Sequence, residues 1–329
     1  MKMKIEDLLN ITAGTLVNNP VIHTISSATI FPSKVEEGDL FLANSIEDIP
    51  SAIANGAYAI MFEGDTTHIS IDSEIAWIRV DSLKDAAFRL LRYVLLHKDA
   101  DFVLLREHEM SFLKMILTHK NSISILPDSW VKAFEIILNS DKRLFVGSDS
   151  KLLQTIVPDI EYLYKEADGY IISDTLFRTT FKVDGYIYQD KEIAPFHLDY
   201  LLRVIPVCKN YQLQYSLDKI KYTKHFQPVF VDSRLHSVPK GSSERVIIFV
   251  DNIDDIIKAR AYIKEQSRWV KSIVLTPPNT KIPDIDRPFW FETPKDAKEI
   301  LVNRHFNYAF VYSLNKEMLQ NMQEQYTLF

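Results

Sequence analysis

Short apolar runs alternate with segments of helical periodicity in the C-terminal part of the chain. The runs Val246–Val250, Ser272–Thr276 and Tyr308–Tyr312 predict buried strands. Between them, Asp254–Gln266 and Pro294–Asn303 predict helices. The second helix starts with proline, at the position where its missing N–H costs nothing. This alternation constrains the fold to a mostly parallel sheet covered by helices, so the sequence predicts an α/β protein.

The 329 residues divide into three predicted domains: residues 1–99, 100–242 and 243–329. The clearest linker is Pro239–Ser243, which is rich in turn-forming residues and marks the last boundary. In the middle part, alternating residues flank Asp184-Gly185. This pattern predicts a hairpin with a type I′ turn, because glycine tolerates the positive φ that the turn requires.

Composition and charge indicate a globular protein and argue against nucleic-acid binding and membrane insertion. Hydrophobic residues make up 47% of the chain and charged residues 25%, values typical of a globular protein with a real core. The net charge of -6 argues against a dedicated nucleic-acid binder. No apolar run reaches the length that crosses a membrane, so we expect no membrane insertion and a cytoplasmic location.

The chain has one cysteine, Cys208. Its apolar neighbours Val204, Ile205 and Val207 favour a buried thiol over a nucleophile. A single cysteine also excludes an intramolecular disulfide and a multi-cysteine metal site.

Two consecutive blocks near the N-terminus carry the most specific pattern. Lys34–Ala43 reads as a Gly-Asp turn into a buried strand, and Ala52–Ile60 as a short helix, a glycine stop and a second buried strand. In this order and spacing the blocks resemble the N-terminal domain of the Mur ligases. That domain binds a UDP-linked muramyl substrate during peptidoglycan synthesis. The candidate ligand-binding residues that the resemblance implies are Ser33, Lys34, Gly38 and Asp39.

The resemblance continues in order along most of the chain. The hairpin Thr179–Tyr188, followed by Ala194–His197 and a helix, is similar to the hairpin of the family's central domain. Val246–Asn252 resembles the strand that opens the last domain. Thr293–Leu301 and then Ala309–Tyr312 resemble the C-terminal end of the MurF type, which adds D-alanyl-D-alanine. The resemblance implies a three-part Mur-ligase-like architecture in a shortened and degenerate relative, nearest to the MurF type.

The residues that would hold ATP are missing from this pattern. The family's phosphate loop should follow the strand Phe102–Leu105, but Arg106–Lys114 contains no glycine, so its backbone cannot wrap closely around phosphate. Glu107 and Glu109 would each repel a nearby triphosphate by about 1 kcal/mol or more. The family's Asp-Ser-Arg segment is replaced by Phe31–Ser33, which removes the substrate-pairing arginine. We expect no ATP-dependent ligase activity and no cofactor.

Candidate catalytic residues lie elsewhere. His197 is the histidine that survives from the family segment after the hairpin. Asp251 and Asp254 follow a buried strand, at the end where α/β folds commonly place ligands. With Asn252 and Asp255 they could bind magnesium, but a capped helix with an acidic first turn explains them equally well.

Two further motifs have simple structural explanations. Ser148 follows a strand and could hold an anion, or Ser148 or Asp149 could be an N-cap. His108-Glu109 starts like a zinc-protease motif, but Phe112 stands where the second histidine must be. A helix N-terminus with acidic residues is the alternative there. We predict no metal site.

Three functions remain open. The residue losses favour a catalytically inactive pseudoenzyme, a binding or scaffolding partner in bacterial cell-wall synthesis. Its partners would be cell-wall synthesis proteins, a true Mur ligase among them. The first alternative is a sensor that binds a UDP-muramyl peptide. The second is an enzyme with rebuilt, ATP-independent chemistry at the domain cleft.

Overall fold

The computed structural model describes residues 2–65, 72–162, 165–266, 269–285 and 287–317. The described residues form two compact units. The first unit lies within residues 1–106 and 120–163, and the second within 107–119 and 164–329. The three-domain division remains a prediction, and residues 318–329 of its third domain lie outside the described residues.

The first unit consists of a five-stranded sheet, a three-stranded sheet, a short two-stranded pair and the helices around them. Its strands are β1 (Met3–Lys4), β2 (Thr15–Leu16), β3 (Thr24–Ile25), β4 (Ala28–Thr29), β5 (Leu40–Ala43), β6 (Ala59–Glu63), β7 (Ala76–Val80), β8 (Asp101–Leu104), β9 (Ser124–Ile125) and β10 (Leu144–Gly147). Its helices are α1 (Ile5–Thr12), α2 (Ile49–Ala54), α3 (Leu83–Leu95), α5 (Trp130–Asn139) and α6 (Ser150–Ile156).

Strand β5 is buried on both faces of the five-stranded sheet. Its side chains alternate, so Leu40 and Leu42 join the core formed with α1 and α3. Phe41 joins a second core that contains Ile49 and Ala52 of α2. The strand order is β2-β7-β6-β5-β4, parallel except for β2. Continuous apolar runs are what strands buried on both faces require.

The second unit consists of a three-stranded antiparallel sheet, a five-stranded sheet and their helices. Its helices are α4 (Glu107–Ile116), α7 (Leu198–Asn210), α8 (Ile253–Gln266) and α9 (Pro294–Asn303). Its strands are β11 (Gly169–Thr175), β12 (Arg178–Val183), β13 (Tyr186–Lys191), β14 (Phe226–Val231), β15 (Arg245–Val250), β16 (Ser272–Thr276), β17 (Phe289–Trp290) and β18 (Tyr308–Tyr312).

The predicted hairpin is formed by β12 and β13. Asp184 and Gly185 connect them with φ values of 52° and 87°, the two positive values of a type I′ turn. Strand β11 adds a third, antiparallel member that we did not predict. Its sequence mixes glycine, apolar and polar residues without strict alternation, so it gives no clear period-two signal.

Helices α8 and α9 cover opposite faces of the second unit's five-stranded sheet. Ile248 of β15 packs in one core with Ile256 of α8. Its neighbour Ile247 packs in another core with Leu301 of α9. The strand order is β14-β15-β18-β16-β17, parallel except for β14. The predicted α/β class, with mostly parallel sheets covered by helices, is therefore confirmed.

Cys208 has the buried position that its apolar neighbours predict. Its side chain is fully inaccessible in α7, and burial raises the pKa of the thiol to about 12. A thiol with so high a pKa is a poor nucleophile at neutral pH. Among the described residues, no helix is both long and apolar enough to cross a membrane.

Candidate functional site

Three buried histidines and two aspartates come together in the second unit. Asp255 lies in the first turn of α8, and Asp251 directly follows β15. His108 lies in the first turn of α4, His197 directly precedes α7, and His225 directly precedes β14. We call these five residues the histidine–aspartate cluster.

Asp255 is at the centre of the cluster and is completely buried. Nε2 of His108 donates a hydrogen bond of 2.7 Å to Asp255 Oδ2. Nε2 of His197 lies 3.0 Å from the same oxygen but is not aligned for a hydrogen bond. As a result, His197 Nε2 and Asp255 Oδ1 have no hydrogen-bond partner among the described residues.

Asp255 and His197 differ in the direction in which the site shifts their pKa values and in the charge that they carry. Burial by itself would raise the pKa of Asp255, but the contacts with His108 and His197 outweigh it and hold the pKa below its usual range. Burial lowers the pKa of His197, although its contact with Asp255 acts in the opposite direction. Asp255 is therefore a carboxylate, and His197 is a neutral imidazole at neutral pH.

Aromatic rings hold the histidines in place. The ring of His108 stacks between Tyr200 and His225, with centroid separations of 4.6 and 4.2 Å. His197 is packed edge-on against Phe196 and Phe226. These contacts fix the directions in which the ring nitrogens point.

His225 lies between Ser111 and Asp251 in an order that resembles a serine-hydrolase triad. Its Nδ1 donates to Asp251, at 2.7 Å from Oδ1, and its Nε2 is 2.8 Å from Ser111 Oγ. However, Nε2 is also 3.2 Å from the backbone carbonyl oxygen of Glu107, which can only accept. A proton on Nε2 would be directed at this carbonyl, and an Nε2 that carries a proton cannot take the proton of Ser111 as a general base.

His225 also determines the direction in which the pKa of Asp251 is shifted. Partial burial would raise the pKa of Asp251, but the hydrogen bond and charge of His225 outweigh it and lower this pKa below its ordinary value. Asp251 and His225 thus form an ion pair at the edge of the cluster. Asp254 is not part of the cluster, and its backbone N–H is held by the side chain of Asn252.

The candidate ligand residues of the first unit form a tight turn. Asp39 Oδ2 accepts a hydrogen bond from the backbone N–H of Glu36, and burial raises the pKa of Asp39. Gly38 has a φ of +96°, and a Cβ at this position would lie 2.3 Å from Ser26 Oγ. Both residues therefore have a structural role in this turn, and a role in binding stays a prediction.

Ser33 and Lys34 are on the surface of the first unit. Both lie in the 3₁₀ turn Pro32–Lys34, and the Lys34 side chain is 57% exposed. Its ammonium group lies 3.3 Å from the buried carboxylate of Glu135, which also accepts a hydrogen bond from Thr29. The ammonium group of Lys34 thus neutralises the buried charge of Glu135, while much of the Lys34 side chain remains exposed.

Ser148 is not the cap of the helix that follows it. Asp149 caps α6, because its Oδ1 accepts a hydrogen bond of 3.0 Å from the backbone N–H of Leu152. Of the two predicted N-cap residues, Asp149 is therefore the one that the helix uses, and anion binding at Ser148 stays a prediction.

The connection from β8 to α4 stands where a phosphate loop would lie. Only Leu105 and Arg106 separate the two elements, and Leu105 N still donates a hydrogen bond of 3.0 Å to Gly147 O beside the sheet. A loop of the G-x-x-x-x-G-K-[ST] kind needs several residues to surround phosphate. Two residues without glycine cannot form that cradle.

The two glutamates of α4 have different environments. Glu107 is exposed and forms an ion pair of 3.1 Å with Lys224. Glu109 is buried, with its carboxylate 3.6 Å from Arg203. Our expectation that both would repel a nucleotide at the surface is therefore wrong for Glu109, because the helix turns this side chain into the interior.

The sequence indicated His197 and Asp251 and named Asp255 as a possible magnesium ligand, but we did not predict that His108 and His225 join them. A signal was present in the spacing. Asp255 is four residues before buried Ala259, and His108 is four residues before buried Phe112. A polar side chain on the apolar stripe of a helix must find a partner in the interior.

The fold has matches among solved structures. A MurF ligase from Thermotoga maritima, in complex with ADP, matches with a TM-score of 0.54 at 13% identity, over 91% of this chain and 97% of that chain. The fold is that of the MurF ligases. A MurF from Acinetobacter baumannii matches with a TM-score of 0.53 at 12% identity, over 99% and 98% of the two chains.

A third structure has the same fold. It is the UDP-N-acetylmuramoylalanyl-D-glutamyl-2,6-diaminopimelate–D-alanyl-D-alanyl ligase of Acinetobacter baumannii. Its TM-score is 0.52 at 13% identity, over 98% of this chain and 99% of that chain. No family model and no curated protein matches the sequence. The predicted resemblance to MurF-type ligases is therefore confirmed at the level of fold.

Proposed function

We propose that this chain is a Mur-ligase-like protein that has lost ATP-dependent ligation and acts as a binding or scaffolding partner in peptidoglycan synthesis. The single observation that carries the proposal is the β8–α4 connection. In place of a phosphate cradle it has two residues, neither of them glycine. Ligation of the Mur type requires ATP to activate a carboxylate. A chain without the phosphate cradle cannot catalyse that step, but its surfaces can still bind other molecules.

The first turn of α4 gives independent support. His108 is bonded to Asp255, Ser111 contacts His225, and Glu107 is paired with Lys224. A helix N-terminus that binds phosphate must present free N–H groups without nearby anions. Here the side chains of His108 and Ser111 form contacts within the second unit, and Glu107 carries a negative charge.

An apolar surface supports the binding role. Tyr170, Lys182 and Ile187 are cross-strand neighbours on β11, β12 and β13. Tyr170 and Ile187 are each 56% exposed, and Ile172, two residues after Tyr170, is also exposed. Exposed apolar side chains grouped in this way commonly mark interaction surfaces.

The scaffolding part is tested with purified proteins. The chain is mixed with each Mur ligase of its own organism, and complex formation is measured by size exclusion with light scattering. We expect one ligase to bind, and I187D to weaken that complex at least tenfold because it places a charge on the apolar surface. I46D, at an exposed isoleucine of the first unit, is the matched control. Absence of binding to every ligase contradicts the scaffolding part.

A second candidate function is recognition of a UDP-muramyl peptide. The observation that favours it is the intact turn at Gly38 and Asp39 beside the exposed Lys34. Thermal unfolding with the UDP-muramyl peptide and with ATP and magnesium separates the candidates, because a ligand that binds only the folded state raises the midpoint. A rise with the peptide that K34A abolishes favours the sensor, and no rise with either ligand favours the scaffold.

A further inference from the structure

We propose that His108, His197 and Asp255 form a binding site for one divalent transition-metal ion of the zinc class. The three residues come from three separate elements, α4, the turn before α7, and α8. All three side chains are at least 95% buried in the second unit. The inference is independent of whether the protein has a scaffolding role.

The ligand atoms already converge. Nε2 of His108, Nε2 of His197 and a carboxylate oxygen of Asp255 all lie within 4.8 Å of one another. Zinc binds imidazole nitrogen and carboxylate oxygen at about 2.0–2.2 Å, so tetrahedral ligands lie about 3.3–3.5 Å apart. The distances of 2.7 and 3.0 Å to Asp255 Oδ2 would have to lengthen by about half an ångström, a shift within the reach of side chains.

Two buried atoms of the cluster lack the partner that a metal ion would supply. His197 Nε2 and Asp255 Oδ1 have no hydrogen-bond partner among the described residues. Buried polar atoms are almost always satisfied, so two such atoms in one cluster need an explanation. An ion that takes the Nε2 lone pair and a carboxylate oxygen would satisfy both groups together.

Charge balance points to a cation. The carboxyl group of Asp255 has no exposure to water, and the structure places the imidazoles of His108 and His197 against it. A buried carboxylate without a counter-charge is costly. A divalent ion supplies that charge, and two nitrogen ligands favour zinc-class ions over magnesium, which prefers oxygen.

His225 is excluded as a ligand, although it stacks on His108. Both of its nitrogens already have partners: Nδ1 contacts Asp251, and Nε2 contacts Ser111 Oγ and the Glu107 carbonyl oxygen. To bind a metal ion through Nε2, His108 must carry its ring proton on Nδ1, which ends its hydrogen bond to Asp255.

The test is calorimetric titration of the full chain, freed of metal with a chelator, with zinc chloride. We expect one zinc ion per chain and no binding of magnesium chloride. H197F fills the aromatic surroundings of His197 without a ligand atom, and should lower the zinc affinity roughly 100-fold or more. H236A, at an exposed histidine, is the matched control and should leave the affinity unchanged.

Two results would overturn the proposal: wild-type protein that binds no zinc, and H197F that binds zinc as tightly as wild type. If H197F does not fold by circular dichroism, the wild-type titration decides alone. In that case a one-to-one zinc complex supports the site, and its absence overturns it.

Discussion

Nε2 of His108 lies 2.7 Å from Oδ2 of Asp255, although the two residues are 147 positions apart in the sequence. The hydrogen bond joins the first turn of α4 to the first turn of α8. Both first turns are acidic, so either one viewed alone resembles an ordinary helix start. Their pairing turns two simple helix starts into the centre of a buried polar cluster.

Asp255 should be important for stability. D255N replaces the buried carboxylate and weakens its bond with His108, at an expected cost of about 2–3 kcal/mol in the free energy of unfolding. The measurement is urea denaturation in the presence of a chelator, so that bound metal does not contribute. The matched control is D254N, a neighbour outside the cluster, which should change stability by less than about 0.5 kcal/mol. Equal effects of the two variants would contradict the role of Asp255.

Asp251 should contribute stability in a pH-dependent way. Its folded-state pKa is lowered, so the contribution is present above the unfolded value of about 3.9 and is lost as the pH falls through the folded value. Because the side chain is 43% exposed, we expect wild type to exceed D251N by only about 1 kcal/mol at pH 7. Denaturation from pH 7 to pH 2 measures the difference, which should shrink below about pH 4. A constant difference would argue against the ion pair.

Ser111 should not behave as a nucleophile. Nε2 of His225 lies 3.2 Å from the Glu107 carbonyl oxygen, which can only accept, and this contact favours a proton on Nε2 that would prevent transfer from the serine. A fluorophosphonate probe, which labels activated serines, should therefore leave the protein unmodified by mass spectrometry while it labels a serine hydrolase in the same tube. Labelling that S111A removes would show that an enzyme with rebuilt chemistry is the better account.

The turn at Gly38 should tolerate no side chain. G38A forces a residue with a Cβ to a φ of +96° and towards Ser26 Oγ, so we expect a loss of about 2 kcal/mol. Gly64 has a similar φ of +98°, but no atom of the described residues lies within 4 Å of the methyl group that alanine would add, so G64A is the matched control at about 1 kcal/mol. Thermal unfolding of both variants measures the difference. If G64A loses as much stability as G38A, the close contact with Ser26 adds nothing to the cost of a positive φ at Gly38.

The sequence predicted the elements better than the site. Strands β16 and β18 and the helix α9 have the predicted bounds, because each is an apolar run or stripe ended by proline, glycine or a polar residue. Strand β11 was missed because most of its side chains are exposed, which leaves no hydrophobic period. Local pattern determines an element only where one face of it is buried.

The cluster could be predicted only in part. His197 was identified through the resemblance, and Asp251 through its place after a buried strand. His108 and His225 were not paired with the aspartates, because local periodicity carries no information on contacts between distant segments. The burial of Glu109 could not be predicted for the same reason, because the sequence shows its charge but not which side of α4 is buried.

The most direct test of the account is whether ATP binds at the start of α4. Thermal unfolding is measured with increasing ATP and magnesium, beside an active MurF ligase as positive control. We predict an unchanged midpoint for this chain, because the two residues between β8 and α4 cannot enclose phosphate. A midpoint that rises with ATP concentration as mass action requires, and no longer rises when Arg106 is changed to glutamate, would contradict the account.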